Sequence, residues 1–385
     1  MAPAPGSFPV EEYAARLARA QAAMAKRGLS LLLLTTAADI TYFSGFLTRF
    51  WESPTRAWYL IIPGQGELVA VIPSIGQALM ARTWVRDIRC WQAPDLVDEG
   101  ITLLADALQE IAGHGGKIGV PMGHESHLGM PLDDWARLKR ATPAMSFISD
   151  DGIVSQLRMI KSPVEITHIR AACAIAGRAF ARVPEIARAG VPLDQVFRHF
   201  QMLCLEEGAD WQPYLAGAAA QGGYGDVISP ADTRVLRRGD VLMLDTGLVK
   251  AGYFCDFDRN YAVGPPTDAV RSAHRQLIEA TQAGFDAARP GATAAEVFHA
   301  MHAIVGGQVD AGRFGHGVGL QLTEGCSLMP QDRTLLRQGM VLALEPVITL
   351  PDGQIIVHEE NIVIGADAAD WLSPRASREI PVLEG

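Results

Sequence analysis

Cysteine is scarce in this chain. Its 385 residues include only Cys90, Cys173, Cys204, Cys255 and Cys326, with no CxxC spacing among them. This excludes a disulfide scaffold and a thiolate zinc site, and it fits a reducing compartment. Basic residues are outnumbered, 33 Lys and Arg against 43 Asp and Glu, for a net charge of −10. Broad nucleic-acid binding needs a basic face, so no nucleic-acid partner is expected. Long apolar runs are missing as well. The longest surrounds Leu31, Leu32, Leu33 and Leu34 and is far too short to cross a bilayer, so no membrane association is expected. The opening MAPAPGSFPVEEYAARL has no basic stretch followed by an apolar one. No secretory signal is read there, and the expected location is cytoplasmic.

What is present is an ordinary globular composition, 49% hydrophobic and 20% charged. The length suggests two domains at roughly 100–200 residues each. In the first part of the chain, the spacing of Tyr13, Leu17, Ala20 and Met24 predicts a helix over 11–27, stopped at Gly28. Strands are predicted over 29–34, 58–63 and 68–73, the last two around a Gly-Gln-Gly turn, then a helix over 101–111 and a strand over 117–120. This alternation predicts an α/β domain with a mixed sheet. The character changes near 150–161. Ser162, Pro163 and Glu165 then form a helix opening with cap, N1 proline and capping box. The expected domains are 1–157 and 158–385. Later helices are predicted over 194–207, 268–288 and 294–304, the last with a Thr293–Glu296 capping box. Two antiparallel strand pairs, 241–248 with 252–263 and 341–350 with 354–364, make the second domain α+β.

Chemistry concentrates in those strand pairs. A two-residue turn at Lys250-Ala251 would set Asp245 opposite Asp256, with Cβ atoms about 4.5–5.5 Å apart. A three-residue turn at Pro351-Asp352-Gly353 would set Glu345 opposite Glu359. Facing carboxylates in apolar strands repel, and burying them unpaired costs several kcal/mol, a cost that a bound cation removes. The other reading of the first pair is a solvent-facing position or an ion pair with Arg259. Two such pairs together make a metal site the better reading. His316 lies between them in a glycine-rich stretch that allows close approach. Oxygen ligands with one imidazole suit Mn2+, Co2+, Fe2+ or Zn2+. Four carboxylates exceed what one dication neutralises, so two ions are implied, and such a pair can share a hydroxide and clamp a reacting oxygen.

Asp245, Asp256 eleven positions on, the Gly-His316-Gly histidine, the Leu-Glu345-Pro glutamate and the final Glu359 resemble the pita-bread metallopeptidase family. The stretch RLARAQAAMAKRGLSLLLLTTAADITYFSGF is similar to the smaller domain of its prolidase, aminopeptidase P and creatinase branch. The junction LRMIKSPVEITHIRAA is similar to that branch's entry into the catalytic domain. The resemblance implies a creatinase-type α/β domain before a pita-bread α+β domain. It implies two divalent ions, with Mn2+ favoured: Asp245 on one, Asp256 and Glu359 bridging both, His316 and Glu345 on the other. A bridging hydroxide would attack a carbonyl carbon and cleave an amide C–N bond. A homodimer is implied as well.

The chain departs from that pattern. No histidine stands in GGYGDVISPADTRVLRRGD, and Thr323 occupies the place of a histidine seven residues after His316. Asp258 stands where the family has threonine. The implied substrate is a small amide: an Xaa-Pro dipeptide, an N-acyl amino acid, or a compatible-solute amide as in ectoine hydrolase. The alternatives are a lyase on the same site, of the dimethylsulfoniopropionate type, and a non-catalytic binding protein. Asp258 is a candidate to orient a ligand, bind a substrate cation or act as base, against an ion pair with an arginine such as Arg313. Glu324 is a candidate general acid/base. Tyr224 is a candidate hydroxyl donor to substrate, against a surface-loop position. His358 should face away from the ligands. In the loop Phe50-Trp51-Glu52-Ser53-Pro54-Thr55-Arg56, Trp51 and Arg56 are candidates for substrate binding, as Thr323 is, against simple packing on their own domain.

Overall fold

A computed structural model describes residues 8–53, 55–307 and 312–385. Pro54 of the aromatic loop and the first seven residues of the N-terminal reading lie outside the described residues. The chain divides into two compact units, one ending at Arg158 and the second Met159–Gly385.

In the first unit β1 (Leu31–Leu34), β2 (Tyr59–Pro63), β3 (Val69–Pro73), β4 (Asp87–Trp91), β5 (Lys117–Val120) and β6 (Ser146–Ser149) form one mixed sheet. Their order is β4-β3-β2-β1-β5-β6. β1 is central, antiparallel to β2 and parallel to β5, and all four of its leucines are buried. Such a two-faced strand reads as a continuous apolar run. The helix Val10–Arg27 buries Tyr13, Leu17, Ala20 and Met24 as the spacing predicts. Arg16 is buried on the same face. Its Nη1 donates to the Tyr42 carbonyl at 2.7 Å and its guanidinium lies over the rings of Phe8 and Tyr42.

The second unit opens with helix Pro163–Ala181, whose capping box between Ser162 and Glu165 is complete. Its main sheet holds β7 (Trp211–Gln221), β8 (Asp240–Lys250), β9 (Tyr253–Phe254), β10 (Phe257–Val263) and, at the far edge, β17 (Val382–Leu383). A second sheet is built from β11 (Gly315–Gly317), β12 (Val341–Leu344), β15 (Glu360–Ile364) and β16 (Ala369–Trp371). Between β12 and β15 runs the two-stranded extension β13 (Val347–Thr349) and β14 (Ile355–Val357). Helices Asp268–Ala287 and Ala294–Val305 supply Leu277, Val297, Phe298 and Met301 to the apolar cores beside these strands. The second of them starts at the predicted Thr293–Glu296 box.

The first hairpin turns one residue later than expected. Ala251 and Gly252 are its central pair, both with positive φ, 53° and 87°. A two-residue hairpin of this hand needs positive φ at both places, and a glycine at the second meets that need. Lys250 therefore pairs with Tyr253, and Asp245 lies across from Asp258, not Asp256. The second hairpin has the expected three-residue turn, with Thr349 paired to Ile355. Val347 faces Val357 and Leu344 faces Glu360, so Glu345 and Glu359 face each other across the break between those rungs.

Candidate metal centre

Five side chains of the second unit define the site, and each sits at a strand centre or a strand break. Asp245 lies in the middle of β8 and His316 in the middle of β11. Asp256 stands between β9 and β10, Glu345 between β12 and β13, and Glu359 between β14 and β15. Asp256, His316 and Glu359 each offer a ligand atom, and these atoms lie within 4.8 Å of one another, all buried. His316 Nε2 is 3.4 Å from Asp256 Oδ2.

The histidine is oriented for coordination. Its Nδ1 lies 3.0 Å from the Gly317 carbonyl, which can only accept, so Nδ1 carries the hydrogen and Nε2 presents its lone pair. Burial, helped by the nearby Arg313 guanidinium, pushes the ring down to about 4, which keeps it neutral at pH 7. Gly317 allows this close packing, since a Cβ there would stand 2.0 Å from the Glu324 carbonyl oxygen.

The carboxylates show strain of an electrostatic kind. Burial first, then repulsion from neighbouring carboxylates (Asp258 and Glu345 in the case of Asp245), raises Asp245, Asp256 and Glu359 well above the ordinary carboxylate range. Glu345 is pushed up to about 7 by burial, with Arg313 opposing and Asp258 adding to the rise. Asp245 Oδ1 and Glu359 Oε1 are buried without a hydrogen-bond partner. Buried oxygens of this kind are costly to leave unmatched. Hard oxygen donors, one imidazole lone pair and two orphaned oxygens in one buried cluster fit divalent cations. Tyr214, on β7, donates its hydroxyl to Asp245 Oδ2 at 2.9 Å, which leaves Oδ1 as the open ligand atom.

Other candidates fall elsewhere. Asp258 is 1% exposed and accepts from the Glu359 N–H at 2.6 Å and from Asn260 Nδ2 at 3.1 Å, with His358 Nδ1 at 3.4 Å. Its neighbour is thus His358, where Arg313 was the expected arginine. His358 also reaches Glu360 Oε1 at 3.4 Å. Burial works against a charged His358 ring, but its hydrogen bonds to Asp258 and Glu360 prevail and raise its pKa. Tyr224 is a correction on both of its readings. It is fully buried, and its hydroxyl donates to Asn260 Oδ1 at 2.9 Å while accepting the Val357 N–H at 2.7 Å. A hydroxyl committed in both directions inside the core is neither a loop group nor one that meets substrate. Glu324 Oε1 pairs with buried Lys161 Nζ at 2.9 Å, and Oε2 accepts the Gln321 N–H at 3.3 Å. Thr323 is half-buried and accepts from Arg313 Nη2 at 3.4 Å.

Trp51 and Arg56 belong to the first unit. There they line a cleft of about 490 Å³ with Thr35, Glu99, His127 and Asp134. Trp51 packs edge-on against Phe46 and Trp58, and Arg56 Nη1 donates to Thr55 Oγ1 at 3.2 Å.

Sequence reasoning missed Tyr214 and Asn361. Strand β7, WQPYLAGAAAQ, is rich in small residues and received no assignment from the sequence. Once β7 is paired, Ala216 faces Asp245, and Tyr214 shares its face by strand alternation. Asn361 carried no signal beyond standing two residues after Glu359.

Residues 167–366 match the model of metallopeptidase family M24, and residues 16–160 match that of the creatinase/prolidase N-terminal domain. The chain is 29% identical over 378 residues to the probable dipeptidase PepE of Mycobacterium tuberculosis, covering 94% of each chain. It is 29% identical over 265 residues to the Xaa-Pro dipeptidase of Pyrococcus horikoshii, covering 67% of this chain and 74% of that one. Among solved structures, the dipeptidase PepE from Mycobacterium ulcerans superposes with a TM-score of 0.82 at 28% identity, over 98% of this chain and 100% of that one. The described fold is accordingly a creatinase-type N-terminal domain followed by a pita-bread domain. Among the described residues, no helix is long and apolar enough to cross a membrane.

Proposed function

The chain belongs to metallopeptidase family M24, and from that premise we propose a dinuclear metal-dependent hydrolase that cleaves the amide C–N bond of a small substrate, an Xaa-Pro dipeptide or an N-acyl amino acid. Metal-dependent hydrolysis of peptide-type bonds follows from the family. The observation that carries the finer reading is the convergence of Asp256, His316 and Glu359 beside the orphaned oxygens of Asp245 and Glu359. Asp245, its Oδ2 held by the Tyr214 hydroxyl, would hold one ion, His316 and Glu345 the other, and Asp256 and Glu359 would span both, within a catalytic domain at 158–385. Divalent ions bound there supply Lewis acidity and a water acidic enough to react near neutral pH. Mn2+ is our first choice of ion, with Co2+, Fe2+ and Zn2+ compatible with the same donors.

The protein's own groups then divide the remaining work. Arg313 acts electrostatically on Asp256 and Glu345 and touches Thr323 and Ser327, which supports its guanidinium as the group that would receive a substrate carboxylate. That assignment gives the site one cationic group where the family carries histidines, and it favours a small acidic substrate. Glu324, paired to Lys161 at 2.9 Å, is our choice of proton carrier. Asp258 is buried and turned to the Glu359 N–H, the Asn260 amide and the His358 ring, so the lyase reading, which needs it as a base, has no support from its position.

The test is reconstitution with Mn2+, Co2+, Fe2+ or Zn2+ in turn, followed by a screen of Xaa-Pro dipeptides, N-acyl amino acids, ectoine and sulfonium propionates. Release of a free amine from an amide, at about two ions per chain, is the expected result. Alkene formation without water consumption would replace the hydrolase with the lyase. Fewer than one ion per chain and no turnover would remove both.

A further inference from the structure

Asp256 and Glu359 both stand where the strand ladder is interrupted. β9 stops at Phe254 and β10 resumes at Phe257, while β14 stops at Val357 and β15 resumes at Glu360. Buried peptide groups at such breaks must find other partners. Side chains supply them, and they do so reciprocally. The Asp256 N–H donates to Asn361 Oδ1 at 2.8 Å, and Asn361 Nδ2 returns a bond to the Asp256 carbonyl at 2.6 Å. The Glu359 N–H donates to Asp258 Oδ1 at 2.6 Å, and Arg259 Nη1 donates to the Glu359 carbonyl at 3.2 Å. The residue two places after each carboxylate thus holds the backbone of the other.

The clasp is itself braced. Arg259 Nη2 meets Glu360 Oε2 at 2.9 Å, and Glu360 Oε1 accepts the Ala376 N–H at 2.7 Å. Asp258 has the Glu359 amide, the Asn260 amide and the His358 ring on its two oxygens. An ionised carboxylate can accept from all three, whereas an amide would bring a donor to one of them. All of Asp256, Asp258, Glu359, Glu360 and Asn361 are at most 3% exposed, so little solvent can substitute for a lost partner.

We propose that Asp258, Arg259 and Asn361 are positioning residues. They lock the peptide planes of Asp256 and Glu359 to each other and so fix the spacing of two carboxylates that would hold the metal. The inference rests on the metal-centre reading above. It goes beyond that reading by assigning the geometry to a cross-hairpin clasp that touches neither ion nor substrate.

The test uses the full chain, freed of metal, with Asp258→Ala, Asn361→Ala and Asp258→Asn. Amide hydrogen exchange is read at residues 256 and 359, and Mn2+ alone is titrated by calorimetry. Asp258→Ala should speed exchange at Glu359, and Asn361→Ala at Asp256, each without the other. Both should weaken Mn2+ binding by about 10–100-fold, the usual effect of losing a group that orients a ligand. Asp258→Asn retains one acceptor for the Glu359 amide and should stand closer to the parent than to Asp258→Ala. Should Asp258→Ala fail to fold, Asp258→Asn and Asn361→Ala carry the comparison, with the asparagine variant at 258 binding the tighter of the two. A parent that binds Mn2+ alongside alanine variants that bind it equally well would overturn the clasp alone. A parent that binds no Mn2+ would overturn the metal-centre reading beneath it.

Discussion

In the first unit Arg158 meets Asp39 at 2.8 Å, with both side chains under a tenth exposed. Arg16 is buried there as well, against Glu12, a carbonyl and two aromatic faces. In the second unit Asp245, Asp256, Glu345 and Glu359 crowd one pocket, and the field of half-buried Arg313 offsets only part of their charge. A few ångströms behind them Asp258, His358, Glu360 and Arg259 alternate in sign and are matched partner for partner. Buried charge with a built-in partner holds structure together. Buried charge without one marks the place where a partner from outside is meant to sit.

The sharpest way to break that contrast is to remove one of the unmatched groups. Asp256→Ala or Glu359→Ala should abolish turnover and reduce metal content measured by mass spectrometry, while the metal-free variant melts no lower than the metal-free parent. Full activity in both variants would end the dinuclear assignment. Next in size is the matched pair. Arg158→Ala leaves Asp39 buried with the Thr36 hydroxyl on Oδ2 but without its cation, and should cost about 3–5 kcal/mol in denaturant unfolding of the first unit. A loss no greater than that of an exposed arginine would show that burial there needs no partner.

The pH dependence of stability sharpens the same contrast at a smaller scale. Glu345 is raised from 4.5 to about 7 in the folded, metal-free protein, so the folded state holds more protons than the unfolded one between those values. Stability of the metal-free protein should therefore fall as pH rises from about 4.5 to about 7, and Glu345→Gln should flatten the fall. Glu360 acts in the opposite sense. Although burial raises it, Arg259 and His358 hold it down to about 2, so its contribution is complete above 4.5 and is lost only on further acidification. A melting temperature that rises through the upper window would contradict the unmatched cluster. The smallest effect is expected from the first unit's cleft. Arg56→Ala should raise KM while leaving metal content unchanged, and an unchanged KM would remove Arg56 from substrate recognition.

The two hairpins show what a sequence can disclose. The second was legible down to its register, because Pro351-Asp352-Gly353 specifies a loop length and the flanking strands pair without interruption up to Glu345 and Glu359. In the first, the choice lay between Lys250-Ala251 and Ala251-Gly252, and the demand for positive φ at both places decides for the latter. The slip left Asp245 and Asp256 on one face, since the shift keeps strand parity, so the ligand pair was found through an imperfect register. The capping boxes at Ser162 and Thr293 were readable because they are local. Tyr214, Asn361 and the embrace of Asp258 were not, because each depends on which strand lies beside which. Tyr224 misled for a related reason: a tyrosine among glycines reads as exposed, yet its hydroxyl closes two buried polar groups at once.

The capping glutamate of the catalytic unit's first helix has a second attachment. Glu165 Oε2 accepts the Ser162 N–H, while Oε1 accepts the hydroxyl of Tyr253, 88 residues away beside the hairpin turn. His168, one turn along the helix, stacks on the same tyrosine ring. One carboxylate therefore ends a helix and tethers the tip of the hairpin that carries Asp245 and Asp256. Fraying at the helix start and opening at the hairpin tip become a single event of local unfolding, and a protease or an exchanging solvent that finds one should find the other.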